Sequence, residues 1–198
     1  MKKMWIAIFM VVVVGLLVVA GCHATRSAYE SASYQVLRAN GRLEVREYPA
    51  LQVVETPMAA GRRDGGDGSF MRLFRFISGG NAARQKIAMT TPVFMSGGDS
   101  NATMAFVLPA KLTADAVPKP TDAAVTVREL PAGRFAVLSL CGGRSAKREA
   151  AALDRLRAWM QAEGWKPLSP PVYAYFDPPW TPGFLRRNEV MVRTEGRK

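Results

Sequence analysis

Three side chains carry the reactive groups from which catalytic sites are usually built, and their positions restrict them. The 198 residues hold one histidine, His23, and two cysteines, Cys22 and Cys141. A Ser-His-Asp or Cys-His arrangement needs an imidazole within the fold, and a His-ligated metal needs several. No histidine follows His23, so the bulk of the chain works without imidazole chemistry. The glycine-rich run Arg62-Arg63-Asp64-Gly65-Gly66-Asp67-Gly68 lacks the Lys-Ser/Thr ending of a phosphate-binding loop, and its acids lack calcium-loop spacing. It reads as a mobile loop. With no nucleophile–base pair and no metal-ligand cluster, an enzyme is not expected. Glu47 and Glu129 recur at equivalent places in a repeat, which argues for strand-surface positions rather than an acid/base pair.

The chemistry of Cys22 is different. Lys2 and Lys3 precede an uncharged run from Met4 to Ala20, followed by Gly21-Cys22. Small residues before a cysteine suit an extended fit into a peptidase cleft, and a cysteine at the new N-terminus offers a thiol for acylation. The segment resembles a bacterial lipoprotein signal. That resemblance implies cleavage before Cys22, lipidation of Cys22 and a place in the cell envelope. With His23 rather than an acid after the cysteine, it favours the outer membrane facing the periplasm. The alternative is an uncleaved membrane anchor, for which 17 apolar residues stand at the short limit. Residues 1–21 are thus assigned to the signal peptide, 22–33 to a polar tether, and 34–196 to the folded domain.

Net charge points to anionic partners. The formal +11 becomes +9 without Lys2 and Lys3, and Arg supplies most of the cations. Lipid headgroups and ligand carboxylates fit an exported chain, and nucleic acid does not. A merely solvated basic surface would give the same count. Cys141, between Leu140 and Gly142, is expected to be a buried small apolar residue.

The elements that must position these groups repeat. Val45-Arg46-Glu47-Tyr48-Pro49-Ala50 recurs as Val127-Arg128-Glu129-Leu130-Pro131-Ala132. Each copy leads into an apolar strand (51–54, 135–140), a glycine-rich loop and a helix. The first helix is expected over 70–78, with Ser69 as N-cap and Phe70, Leu73, Phe74 and Ile77 as its apolar stripe. The second is expected over 146–163, with Leu153, Leu156, Trp159 and Met160 as its stripe. Proline-bearing strands follow (86–94, 172–180), then closing strands (103–108, 189–194). A strand pair at 34–38 and 42–47 opens the chain. The halves, 34–110 and 121–195, share a β-α-β-β order. Neither buries a large core alone, so they must share one. The fold class is α+β: a distorted antiparallel barrel or strongly curved sheet with two flanking helices.

The segments Glu44-Val45-Arg46-Glu47-Tyr48-Pro49, Phe76-Ile77-Ser78-Gly79-Gly80-Asn81, Ile87-Ala88-Met89-Thr90-Thr91-Pro92-Val93, Pro118-Lys119-Pro120 and Arg186-Arg187-Asn188-Glu189-Val190 stand in collinear order. Together they resemble the SOUL haem-binding family over residues 34–194. The resemblance implies tetrapyrrole binding in a shallow apolar site against the first helix and the loop before the last strand. Phe70, Met71, Phe74 and Arg75 fall on that helix, and Trp180, Phe184, Arg186 and Arg187 on that loop. Flat aromatic faces suit a porphyrin, and Arg forks suit its propionates.

Haem held by a histidine of the domain is excluded. That leaves unligated haem or a Met, Tyr or Cys ligand, Met71 and Met89 being sulfur donors. The expected function is an envelope carrier or buffer for haem or a related tetrapyrrole. The alternative is a module for another amphipathic small molecule or a protein partner, because the duplicated scaffold also resembles bacterial effector-binding domains. Arg186-Arg187-Asn188-Glu189 has a second reading too, as a loop brace in which Glu189 pairs with an arginine of the sheet.

Overall fold

Alternation in Leu43-Glu44-Val45-Arg46-Glu47-Tyr48 sends neighbouring side chains to opposite faces of a strand, and both faces of the sheet it joins are covered. The computed structural model describes residues 5, 9, 10, 29–59, 66–97, 101–178 and 180–195. Apart from Trp5, Phe9 and Met10, the expected signal segment lies outside the described residues, as do Cys22 and most of the tether. Among the described residues, no helix is long and apolar enough to cross a membrane.

The strands are β1 (Glu30–Ser31), β2 (Gln35–Asn40), β3 (Leu43–Tyr48), β4 (Leu51–Pro57), β5 (Thr90–Thr91), β6 (Val93–Ser96) and β7 (Thr103–Val107) in the first half. The second half adds β8 (Thr126–Leu130), β9 (Gly133–Cys141), β10 (Val172–Tyr175) and β11 (Arg187–Thr194). Helix α1 (Ser69–Ile77) lies between β4 and β5, and α2 (Ala146–Ala162) between β9 and β10.

Nine strands form one antiparallel sheet in the order β2-β3-β9-β11-β10-β6-β7-β4-β8. Setting β2 aside, the order reads the same from either edge once repeat equivalents are exchanged: β3 with β8, β9 with β4, β11 with β7, β10 with β6. The duplicated α+β architecture is therefore built around the β10–β6 pairing, where Ala174 faces Phe94.

The sheet curls. On one face α1 packs over β4 and β7, and α2 over β9 and β11. Val54, Leu73, Phe76, Ile77, Met104 and Phe106 form the core beneath α1. Val45, Ala136, Leu138, Leu156, Met160 and Val190 form the core beneath α2. On the other face Tyr48, Val53, Phe94, Val107, Ala174 and Met191, from strands across the whole width, meet in a third cluster. That meeting requires a half-barrel.

Several expectations need correction. The proline-bearing segment 86–94 is not one strand. Pro92 has no N–H to donate, and apart from an isolated bridge between Lys86 and Ser78 the segment pairs only in β5 and in β6 beyond it. The segment 172–180 keeps its strand only to Tyr175. The packed chain reaches back before Tyr34, because β1 pairs in parallel with β5 and Ala32 is buried. Cys141 is exposed rather than buried, since it closes β9 at the end of the sheet.

Candidate ligand-binding site

Helix α1 is set by a short chain of contacts. Gly68 precedes it at φ 84, a conformation that L side chains resist. Gly68, not Ser69, is therefore the cap residue. The Asp67 carboxylate accepts the Ser69 N–H at 3.1 Å and the Ala59 N–H at 2.6 Å, tying Ala59 to the start of the helix. Burial alone would raise that carboxyl, but the hydrogen bonds from Ser69 and Ala59, with the Arg72 charge, hold it below its ordinary range. At the far end Asn81 donates to Phe76 O and Gln85 O and accepts from Gln85 N, which fixes the turn after Gly79-Gly80.

At about 100° per residue, Ser69, Leu73, Phe76 and Ile77 share one arc, and Phe70, Met71, Phe74 and Arg75 the adjoining one. The first arc is buried on the sheet. The expected stripe was thus rotated: Phe76 takes the core position assigned to Phe74. Met71 is 54% exposed and Phe74 42%. Half-buried Phe70 meets Phe106 edge-on at 5.2 Å and stacks with Phe74 at 6.0 Å, with 12° between the rings. Two near-parallel rings and a thioether therefore line the outer face of a helix whose other face already fills the core.

On the other flank of the helix, past Arg75, lies a cleft of about 290 Å³ lined by Arg72, Arg75, Phe76, Gly80, Thr121 and Asp122, among others. Arg72 is engaged, donating to Thr56 Oγ1 at 3.0 Å and Pro57 O at 2.6 Å. Arg75 is exposed at the cleft and is the cation left for an anion there.

The loop from Phe176 to Arg187 carries the other expected residues. Trp180 and Phe184 are 70% and 73% exposed. The loop is braced at its base, where Asp177 accepts the Arg187 N–H at 2.6 Å, and Arg186 Nε donates to Thr181 O at 2.8 Å. Gly142 N donates to Arg186 O, and Gly183 sits against Gly143. The loop's contacts thus run to the start of α2, which divides the expected residues into two groups.

Arg187, expected as a carboxylate clamp, is committed elsewhere. It donates to Glu189 Oε1 at 2.9 and 2.6 Å and to Tyr34 Oη at 3.2 Å, and it lies 4.1 Å from the Phe176 ring centroid. Arg46 reaches the same carboxylate at 2.7 and 3.1 Å, and Ser139 Oγ adds a fifth donor at 3.1 Å. Arg46 also covers the Tyr34 ring, at 4.2 Å. Burial opposes the Arg46 charge, but the bond and field of Glu189 outweigh it and raise the group further. Burial pushes the Tyr48 hydroxyl up to about 12, against the pull of Arg46. The loop-brace reading of Glu189 therefore holds, and its sheet partner is Arg46. Reasoning from the sequence did not find that partner, because 143 residues separate the two. Among the described residues, no group of three or more His, Cys, Asp or Glu is placed to hold a metal ion.

Comparison with solved structures finds the same fold in distant proteins. A hydrolase from Listeria innocua superposes with a TM-score of 0.60 at 10% identity, over 80% of this chain and 94% of that one. The C-terminal domain of EcmrR gives 0.57 at 15% identity, over 83% and 99%. An uncharacterized conserved protein from Listeria innocua gives 0.58 at 9% identity, over 78% and 92%. At such identities the likeness concerns the fold alone. No curated protein matches the sequence. The family model described as SOUL heme-binding protein matches residues 29–193, which takes in both halves of the sheet and both helices, and the chain belongs to that family.

Proposed function

We propose that this protein binds haem or a related tetrapyrrole on the outer face of α1 and serves as a carrier or buffer for it in the bacterial cell envelope, held there by a lipid on Cys22. The observation that carries this is the stripe of half-buried Phe70 with exposed Met71 and Phe74 on a helix whose opposite face is buried. Exposed Phe74, stacked with half-buried Phe70 one turn away and backed by the Phe70–Phe106 contact, offers a flat apolar surface for a macrocycle.

The residues fit the group. Phe70 and Phe74 would hold its face, and Arg75 in the neighbouring cleft would meet a propionate. The Met71 thioether is the soft donor on the same arc; haem, when bound, supplies the iron for it. No histidine follows His23, so the domain's own ligation is by Met, Tyr or Cys, or is absent. A carrier needs reversible binding, and a shallow surface site suits that need.

All members of the three core clusters lie between Ala32 and Val192, so residues 24–198 carry the whole core without the apolar leader. Hemin titrated into that segment should give a saturable Soret shift with a Kd below about 10 μM. Absence of saturable binding at that concentration refutes the proposal.

A further inference from the structure

A second groove lies away from α1, between the N-terminal half of α2 and the ends of β9, β10 and β11, with a volume of about 260 Å³. Leu138, Leu140, Tyr173 and Tyr175 make its apolar side. It stays open because α2 lines it with two small side chains, exposed Ala151 and buried Ala152, where larger ones would fill the space.

Its charge is unbalanced. Arg144, Arg148 and Arg155 line it, against Glu149 and Glu189. Both acids are already engaged. Glu149 accepts the Tyr175 hydroxyl at 2.8 Å and faces Arg144 at 3.9 Å, while Glu189 is held by Arg46 and Arg187. Arg144 is further spent on the Tyr175 ring, 4.2 Å away. Arg148 has one long bond, 3.5 Å to Gly143 O, and crowds Gly142, which turns at φ 118. Neither Arg148 nor Arg155 has an acid three or four residues away: those positions hold Arg144, Ser145, Ala151 and Ala152 for the first, and Ala151, Ala152, Ala158 and Trp159 for the second.

We infer that this groove is a binding site for a small aromatic carboxylate, its rings on the Leu138–Tyr173–Tyr175 side and its carboxylate between Arg148 and Arg155. Size sets the class. A cavity of about 150 Å³ holds one benzene ring, so this one accommodates about two fused rings and is too small to enclose a macrocycle. Aromatic walls favour rings over an alkyl chain, and the two arginines select the anion.

The probe is 2-naphthoate, followed by amide chemical-shift mapping on residues 24–198, with 2-naphthylmethanol as its neutral counterpart. Saturable shifts should centre on Arg144–Arg155 and β10. Arg148→Gln with Arg155→Gln should weaken binding about tenfold, and the alcohol should bind weaker by a similar factor. Ala151→Leu should abolish binding. These three positions are exposed, so the variants keep the core intact. Phe74→Ala, on the other helix, should leave 2-naphthoate affinity unchanged. The inference is overturned if 2-naphthoate shows no saturable shifts at millimolar concentration, if the shifts map to α1, or if the α2 variants bind it as the unaltered domain does.

Discussion

Replacing Glu189 by Gln tests the buried ion pair in a way that the fold itself controls. Arg46 and Glu189 are each 1% exposed. Five donor contacts converge on the carboxylate, from Arg46, Arg187 and Ser139. An amide there removes the charge and turns one acceptor into a donor facing a guanidinium. Breaking a buried pair by removing one partner costs about 3–5 kcal/mol. Two features bring the expectation to the lower end. Glu44 still pairs with Arg46 at 2.6 Å, and the Arg187 side chain is 31% exposed and can turn to water. A loss of about 3 kcal/mol should lower the urea midpoint by roughly 1–2 M.

The duplication supplies the control. Arg128 occupies the repeat position of Arg46 and pairs with Glu55 at 2.6 Å, but the Arg128 side chain is 45% exposed. Glu55→Gln should therefore cost under about 1 kcal/mol. Urea unfolding of both variants, with Arg46→Met/Glu189→Leu to remove the buried pair together, separates the cases. The double variant should be more stable than Glu189→Gln alone, because no fully buried charge is left stranded: Arg187 and Glu44, which lose partners, are 31% and 23% exposed and can turn to water. Equal costs for Glu189→Gln and Glu55→Gln, or a double variant whose loss is the sum of two large single losses, would refute the assignment of burial as the cause.

Phe74→Ala should weaken hemin binding about tenfold through loss of one ring face, and Arg75→Ala by about threefold, in Soret titrations where circular dichroism stays unchanged. Phe76→Ala, one turn face away, should instead cost about 3–5 kcal/mol of stability, because its side chain is buried between α1 and the sheet. Alkaline stability should report the buried tyrosines. Burial raises Tyr48 from 10.0 to about 12 and raises Tyr175 as well, so the folded protein keeps protons that the unfolded chain has lost. Their contribution is fully present below pH 10.0 and falls as pH climbs through about 12. Tyr48→Phe should flatten that fall in urea midpoints measured from pH 9 to 11.5; an unchanged slope counts against it.

What could be read from the sequence was whatever repeats or alternates. The Val-Arg-Glu copies at 45–47 and 127–129 predicted paired halves, and the strand order returns them as edge-to-edge equivalents. Which face of α1 meets the sheet was not legible. Phe70, Met71, Leu73, Phe74, Phe76 and Ile77 surround the helix, so a 3.6-residue period admits more than one stripe. Only the position of β4 and β7 beneath the helix decides for Phe76 over Phe74. The ambiguity has a physical source: α1 has more apolar residues than its core face can bury. The commitment of Arg187 was not legible for a different reason. Its exposure and its partners depend on Tyr34 and Glu189 arriving from opposite ends of the chain.

The two-fold scaffold also explains why the halves need not do the same thing. Each half lays one helix across its strands, which creates two similar helix–sheet junctions. In the first, large side chains overfill the helix, and Met71 and Phe74 are left in solvent. In the second, Ala151 and Ala152 underfill it, and a groove with arginines at its edge results. Both departures come from side-chain volume on an unchanged backbone plan. They are separable by mutation, because Phe74 and Ala151 lie on different helices over different core clusters. A change at one junction should reach the other only through the β10–β6 seam, where half-buried Tyr175 packs against both clusters. Tyr175→Ala is thus the single substitution expected to disturb hemin and 2-naphthoate binding together. An effect confined to one ligand would mean that the seam transmits nothing between the halves.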